Sequence, residues 1–288
     1  MIRRQDRALN CYKRLISKRL ARAIMYTAIN FILVAACAKE SDVPATTAAP
    51  SHATVTPPAT IPVVVRTPIP THTEEMPFAG VLFLPAGSGP FPAVIVLHGS
   101  EGGTGLTKDV AREYARKGYM AMALCYFGCQ NTPSILQEIN LEAIMDAVDY
   151  LKGREDVRPG AIALVGYSRG AELALIVGTL DPDVRAVVSI SGSPMVVPGY
   201  PEGGTAWLFQ GEPLPFRVIP VEHINGPVLL IHGERDKVWP VQFSYVIASR
   251  LETHNHDYEL AVYPRADHHI YEPDAFRRAL AFLDQTLP

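Results

Sequence analysis

Residues 161–177 read Ala161-Ile162-Ala163-Leu164-Val165-Gly166-Tyr167-Ser168-Arg169-Gly170-Ala171-Glu172-Leu173-Ala174-Leu175-Ile176-Val177, and this stretch decides the fold. Five apolar residues of strand length run into Gly-x-Ser-x-Gly, and a second apolar run of helical character leaves it. A strand that turns sharply into a helix tolerates no bulk two places before or after the turning residue, and Gly166 and Gly170 meet that need. Ser168 is then expected to stand exposed above a sheet, at a helix N-terminus that favours negative charge.

Outward from that turn, apolar runs recur at Phe78–Leu84, Ala93–Leu97, Met120–Leu124, Ala186–Ile190, Val228–Ile231 and Tyr258–Val262. Segments of helical period separate them, which predicts an α/β fold with a mostly parallel central sheet and helices on both faces. The clearest helix is expected over Ser134–Lys152, with Thr132 and Pro133 as its start signal and Gly153 as its stop. Between Ile190 and Val228 lies a connection of over thirty residues, containing Met195, Val196, Val197, Trp207, Leu208 and Phe216. It is read as a lid suited to an apolar group, the alternative being a surface insertion packed on itself.

A serine hydroxyl needs a base, and in the chain order of α/β-hydrolases the acid and then the histidine follow the serine. His98 and His232 fall in His-Gly turns at strand ends, and His52, His72, His223, His254 and His256 in the N-terminal or connecting segments. His268 and His269 remain, just beyond the last strand. For the acid, Asp236 clears the end of the strand before it, whereas Glu234 is its solvated neighbour. The backbone N–H of Arg169, with that of Ser100 or Glu101 in His98-Gly99-Ser100-Glu101-Gly102-Gly103-Thr104-Gly105, would receive an oxyanion. A phosphate loop is the rival reading of that glycine run, and it fails because no Gly-Lys-Ser/Thr follows.

Several segments together resemble the C-terminal catalytic domain of the acyl-CoA thioesterase and bile acid-CoA:amino acid N-acyltransferase family. They are Phe91-Pro92-Ala93-Val94-Ile95, Gly166 to Leu175, Ser189-Ile190-Ser191-Gly192-Ser193, Ile219-Pro220-Val221-Glu222, Gly226 to Ile231 and Tyr263-Pro264 to His268. The resemblance implies an α/β-hydrolase domain with nucleophile, acid and base at Ser168, Asp236 and His268. It implies attack on an acyl thioester or ester, and an acyl-enzyme then released by water. Family members that transfer acyl groups to amino acids use cysteine, so serine resembles the hydrolytic branch. Dienelactone hydrolases share the scaffold and typically carry cysteine there. The animal enzymes have an N-terminal β-sandwich domain that this chain replaces. A carboxylesterase without CoA preference, or a non-catalytic binding module on the same fold, are the alternatives.

What replaces that domain is compositionally distinct. The 288-residue chain has 26 basic and 29 acidic residues, a net charge of −3, but residues 1–22 hold eight Lys or Arg against the single acid Asp6. That segment is +7 and the remainder −10, so the whole offers no overall basic field for nucleic acid. The apolar stretch Ala23–Ala36 is too short for the roughly 20 residues of a membrane span. Residues 1–36 therefore read as a secretory signal peptide, with an uncleaved anchor as the plain alternative. Val34-Ala35-Ala36-Cys37 resembles a bacterial lipobox, which implies lipidation at Cys37 and a periplasm-facing lipoprotein; a leader without function would leave the protein cytoplasmic. Residues 37–70, rich in Pro, Thr and Ala, are expected to be a tether, and 71–288 the catalytic domain.

The expected partner is a small acyl ester or acyl-CoA, with no nucleic acid and a membrane only through the lipid. No cofactor and no metal are expected. Cys125 and Cys129 are read as two free thiols by default, with a disulfide as the alternative in an oxidising compartment.

Overall fold

The structure is a computed structural model that describes residues 68–287 except 202, 271 and 272. Signal peptide and Cys37, and all but the last residues of the tether, lie outside the described residues. Among the described residues eleven strands are formed, β1 Thr71–Glu74, β2 Gly80–Pro85, β3 Phe91–Leu97, β4 Met120–Leu124, β5 Ile139–Asn140, β6 Val157–Tyr167, β7 Val184–Ile190, β8 Trp207–Phe209, β9 Glu212–Pro213, β10 Val228–Gly233 and β11 Tyr258–Tyr263. The helices are α1 Gly105–Arg116, α2 Glu142–Lys152, α3 Arg169–Leu180, α4 Gln242–Thr253 and α5 Pro273–Thr286. Eight strands make the main sheet in the order β1-β2-β4-β3-β6-β7-β10-β11. From β4 to β11 every pairing is parallel, and β2 runs antiparallel to both β4 and β1.

The strand alternation builds two cores. In β3, Ala93, Ile95 and Leu97 face one side with Leu164 of β6 and Leu230 of β10, and there they meet α2, α3 and α4. Val94 and Val96 face the other side with Val165 and Ile231, and pack against α1 and α5. Strands buried on both faces read as continuous apolar runs, which is why the sequence marks them so plainly. The seven expected strands are all present, each matching its sequence run or shifted at its ends by up to four residues.

At its outer edge the sheet receives the chain from upstream. Thr71 pairs with Pro85, and Ile69 donates its N–H to the carbonyl of Arg116, just ahead of β4. The domain is thus entered at the end where the parallel strands begin. Ser168 follows the last residue of β6, at the end where they finish.

Two expectations are corrected. The helix expected over Ser134–Lys152 starts only at Glu142. Pro133 does not open it; Thr132 instead closes a turn onto Cys129, accepting its N–H and donating to its carbonyl. Glu138 turns at φ 51°, and Ile139–Asn140 becomes a strand paired with β8, so Leu136 and Ile139 are buried against the long connection rather than along a helix. Periodicity alone could not separate these cases, because both bury the same residues. Gly153 ends the helix as expected.

The second correction concerns the thiols. Gly128, at φ 80°, reverses the chain, and Cys125 and Cys129 form a disulfide with Cα atoms 6.3 Å apart. Among the described residues no helix is long and apolar enough to cross a membrane.

Closing so short a loop restricts the unfolded chain by about 2 kcal/mol in the chain-entropy account. Replacing both cysteines by serine is expected to lower unfolding free energy by about that amount, read by chemical denaturation; an unchanged midpoint would rule out a stabilising role.

Candidate active site

Ser168 occupies φ 53° and ψ −114°, a region that residues with a side chain rarely adopt. The conformation is held from both sides. Its N–H donates to the carbonyl of Ile190, at the end of the neighbouring strand β7, and its own carbonyl accepts the N–H groups of Ala171 and Glu172, which begin the α3 ladder. The close approach needs the two glycines. A Cβ on Gly166 would lie 2.1 Å from the Gly170 carbonyl oxygen, and one on Gly170 would lie 2.4 Å from the carbonyl oxygens of both Leu97 and His98.

Three side chains from three strand ends converge at this turn. His268 Nε2 lies 2.8 Å from Ser168 Oγ, and His268 Nδ1 lies 2.6 Å from Asp236 Oδ2. Asp236 is buried, and its Oδ1 accepts the N–H groups of Val238 and Trp239, both at 2.8 Å. The residues weighed against these two point elsewhere. Glu234 is exposed and uses its N–H on the Tyr263 carbonyl, and His269 is exposed with its N–H on Asp267.

The loop expected to donate to an oxyanion passes directly beside the serine. A Cβ on Gly99 would be 3.3 Å from Ser168 Cβ and 2.6 Å from Glu101 Oε2, while the Glu101 carboxylate accepts the Gly99 N–H. Ser100 and Glu101 sit at the tip of this loop. Arg169, as the first residue of α3, has an N–H with no intrahelical acceptor. Its side chain turns away from Ser168, into the long connection.

Sequence reading missed most of what surrounds this trio. Tyr126 donates its hydroxyl to the His98 carbonyl at 2.6 Å and stacks on the His98 ring, and Phe127 accepts the Gly103 N–H, so the disulfide-closed loop braces the Gly-rich one. Ser191 Oγ donates to the His268 carbonyl. Glu172, fully buried, accepts Trp207 Nε1 and the Val197 N–H, and lies 2.8 Å from the Arg169 guanidinium, which itself donates to the Val197 carbonyl. The connection after β7 is therefore tied to the first turn of α3. Met195, Val196 and Trp207 are buried by it, and Phe216 is left exposed. The one sequence cue for Glu172 was a lone acid in an apolar helix face.

Two carboxyl groups are displaced in opposite directions. Burial drives the Glu172 carboxyl upward and wins over Arg169 and the two N–H donors. At Asp236 burial also pushes upward, but hydrogen bonds from His232 and His268 and from the Trp239 N–H outweigh it, holding the group well below the usual carboxylate range. A carboxyl depressed in this way stabilises the fold above its unfolded pKa of about 3.9, and that stabilisation is lost as pH falls towards the folded value. Among the described residues no group of His, Cys, Asp or Glu is placed to hold a metal ion.

Residues 78–277 match the dienelactone hydrolase family over well beyond half of the chain. The chain belongs to the dienelactone hydrolase family. Acyl-coenzyme A thioesterase 1 of Rattus norvegicus is 30% identical over 224 residues, 67% of this chain and 52% of the relative, and acyl-coenzyme A amino acid N-acyltransferase 2 of the same species is 30% identical over 222. The chain spans about half the length of the curated relatives it matches. Among solved structures, a dienelactone hydrolase homologue from Klebsiella pneumoniae aligns with a TM-score of 0.61 at 22% identity, covering 75% of this chain and 99% of that one. A puromycin-hydrolyzing peptidase of Mycobacterium tuberculosis aligns at 0.60 and 19%, covering 76% and 39%. At these identities the structural likeness establishes the α/β-hydrolase fold. The sequence resemblance to the thioesterase family, and the fold class it implied, stand.

If the turn depends on bare backbone contact, Gly170→Ala should cost roughly 2–3 kcal/mol, since the Cβ presses on main chain that cannot yield like a side chain. Gly105→Ala, where a Cβ meets nothing within 4 Å, should be neutral in the same denaturation series. Equal behaviour of the two variants would contradict this account.

Proposed function

We propose that the domain is a serine hydrolase that cleaves acyl thioesters or carboxylic esters through an acyl-enzyme. The observation that carries the reading is the unbroken chain from Ser168 Oγ through His268 to Asp236, with Ser168 on a strand-to-helix turn. In this reading His268 Nε2 takes the Ser168 proton as Oγ attacks the acyl carbonyl. The developing oxyanion is received by the Arg169 N–H and by that of Ser100 or Glu101. Asp236 stabilises the imidazolium, which then protonates the departing thiolate or alkoxide. Water, deprotonated by the same histidine, releases the acid and restores Ser168.

The identity to acyl-CoA thioesterases supports a thioester substrate. One observation favours a second reading, in which the enzyme is an exported carboxylesterase. Structural disulfides such as Cys125–Cys129 belong mostly to oxidising compartments, and CoA esters are made where thiols stay reduced. The basic, then apolar, N-terminal segment and Cys37 support the same compartment, with the protein anchored by lipid.

A fluorophosphonate probe should label the protein at Ser168, and Ser168→Ala and His268→Ala should each abolish labelling; persistence in Ser168→Ala would sink the assignment. Acyl-CoA and p-nitrophenyl esters of graded chain length, assayed side by side, distinguish the two readings. A CoA preference of a hundredfold or more in kcat/KM, about 2.7 kcal/mol, would exclude the esterase. In bacterial cells fed labelled fatty acid, Cys37→Ser should lose the label, and a variant that keeps it would refute lipidation there.

A further inference from the structure

Asp236 is bound by two histidines. Besides His268 Nδ1, the same oxygen, Oδ2, lies 3.2 Å from Nε2 of His232, the last residue but one of β10. His232 is fully buried and its ring is constrained at both nitrogens. Nε2 faces only acceptors, the Asp236 carboxylate and the Trp239 carbonyl at 3.0 Å, so it must carry a proton. Nδ1 lies 2.7 Å from the hydroxyl of Ser244, on α4, which supplies the donor that lets Nδ1 stay bare. The neutral Nε2–H tautomer satisfies every one of these atoms.

We infer that His232 is a positioning residue of the reaction proposed above, on which this inference rests, and that it sets the basicity of His268 through their shared carboxylate oxygen. A donor on Oδ2 draws charge away from the bond to His268 Nδ1. Without it, the carboxylate holds the His268 imidazolium more strongly, so the base stays protonated, and idle, to a higher pH. Around His232, Asp236 and His268 stand the His269 ring, 5.4 Å from His268, the Glu101 carboxylate on the loop beside Ser168, and the exposed Arg235, Lys237 and Asp267 that adjoin Asp236 and His268 in the chain. Of these side chains only His232 and His268 hydrogen-bond to the Asp236 carboxylate.

The rate of fluorophosphonate labelling of Ser168 as a function of pH reads the state of His268 without a known substrate. His232→Leu, which fills the space but donates nothing, should move the acid limb of that profile upward by about half a pH unit or more. His232→Gln, whose amide can donate from the position of Nε2, should leave it near that of the unaltered protein. A limb within about 0.1 unit in folded His232→Leu would overturn the assignment. Should His232→Leu not fold, nitrogen-15 NMR of the unaltered protein decides: a protonated Nε2 and bare Nδ1 on His232 are expected, and the reverse tautomer overturns the role. Failure of the unaltered protein to label at all would instead strike at the serine-hydrolase reading, so the two failures are distinct.

Discussion

A serine forced into a left-handed backbone conformation at the end of a buried parallel strand is the constraint on which the rest of the molecule depends. The strain, of order 1–3 kcal/mol, is held because Ile190 fixes the Ser168 N–H from one side and the first turn of α3 fixes its carbonyl from the other. Neither contact is possible unless Gly166 and Gly170 bring main chain to within touching distance of main chain. The sheet order serves the same turn. It puts β3 on one side of β6 and β7 on the other, so the segments leaving both strands flank Ser168. Asp236 and His268 arrive from β10 and β11, beyond β7.

Much of this was legible in the residues themselves. Strands buried on two faces leave apolar runs that no solvent-exposed element imitates, and Gly166 to Gly170 between such a run and a helical one has few readings. Chain order narrowed the acid and the base to the segments after the last two strands, and the family resemblance then singled out His268 from His269. The elements that the sequence obscured share another property. Ile139 and Asn140 pair with a strand about seventy positions downstream, and helical period and short-strand burial ask for the same apolar residues there. In the sequence His232 reads as a turn histidine, and only the fold reveals that the strand end carrying it also aims it at Asp236. The pairing of Cys125 with Cys129 depends on the reversal at Gly128, a backbone angle that spacing does not encode.

Around the serine, three separate supports meet without sharing a residue. The disulfide-closed loop leans Tyr126 and Phe127 on the loop beyond β3. Glu172 and Arg169 fasten the long connection to α3 through Val197 and Trp207. His232 and Ser244 hold Asp236 from beneath. Each removes freedom from a different member of the site, so its geometry belongs to the scaffold rather than to any one side chain. Glu172 illustrates the cost of this arrangement: a carboxyl taken wholly out of water is tolerable only with several donors turned on it.

The polarity of the sheet has a spatial meaning for everything upstream of residue 68. Because β1 lies parallel to β4, the polypeptide joins the domain at the pole opposite Ser168. A lipid, a support or a fused protein attached ahead of that junction pulls on the back of the enzyme. Ser168 is separated from that junction by the length of the parallel strands, so such a force enters the domain far from the serine turn.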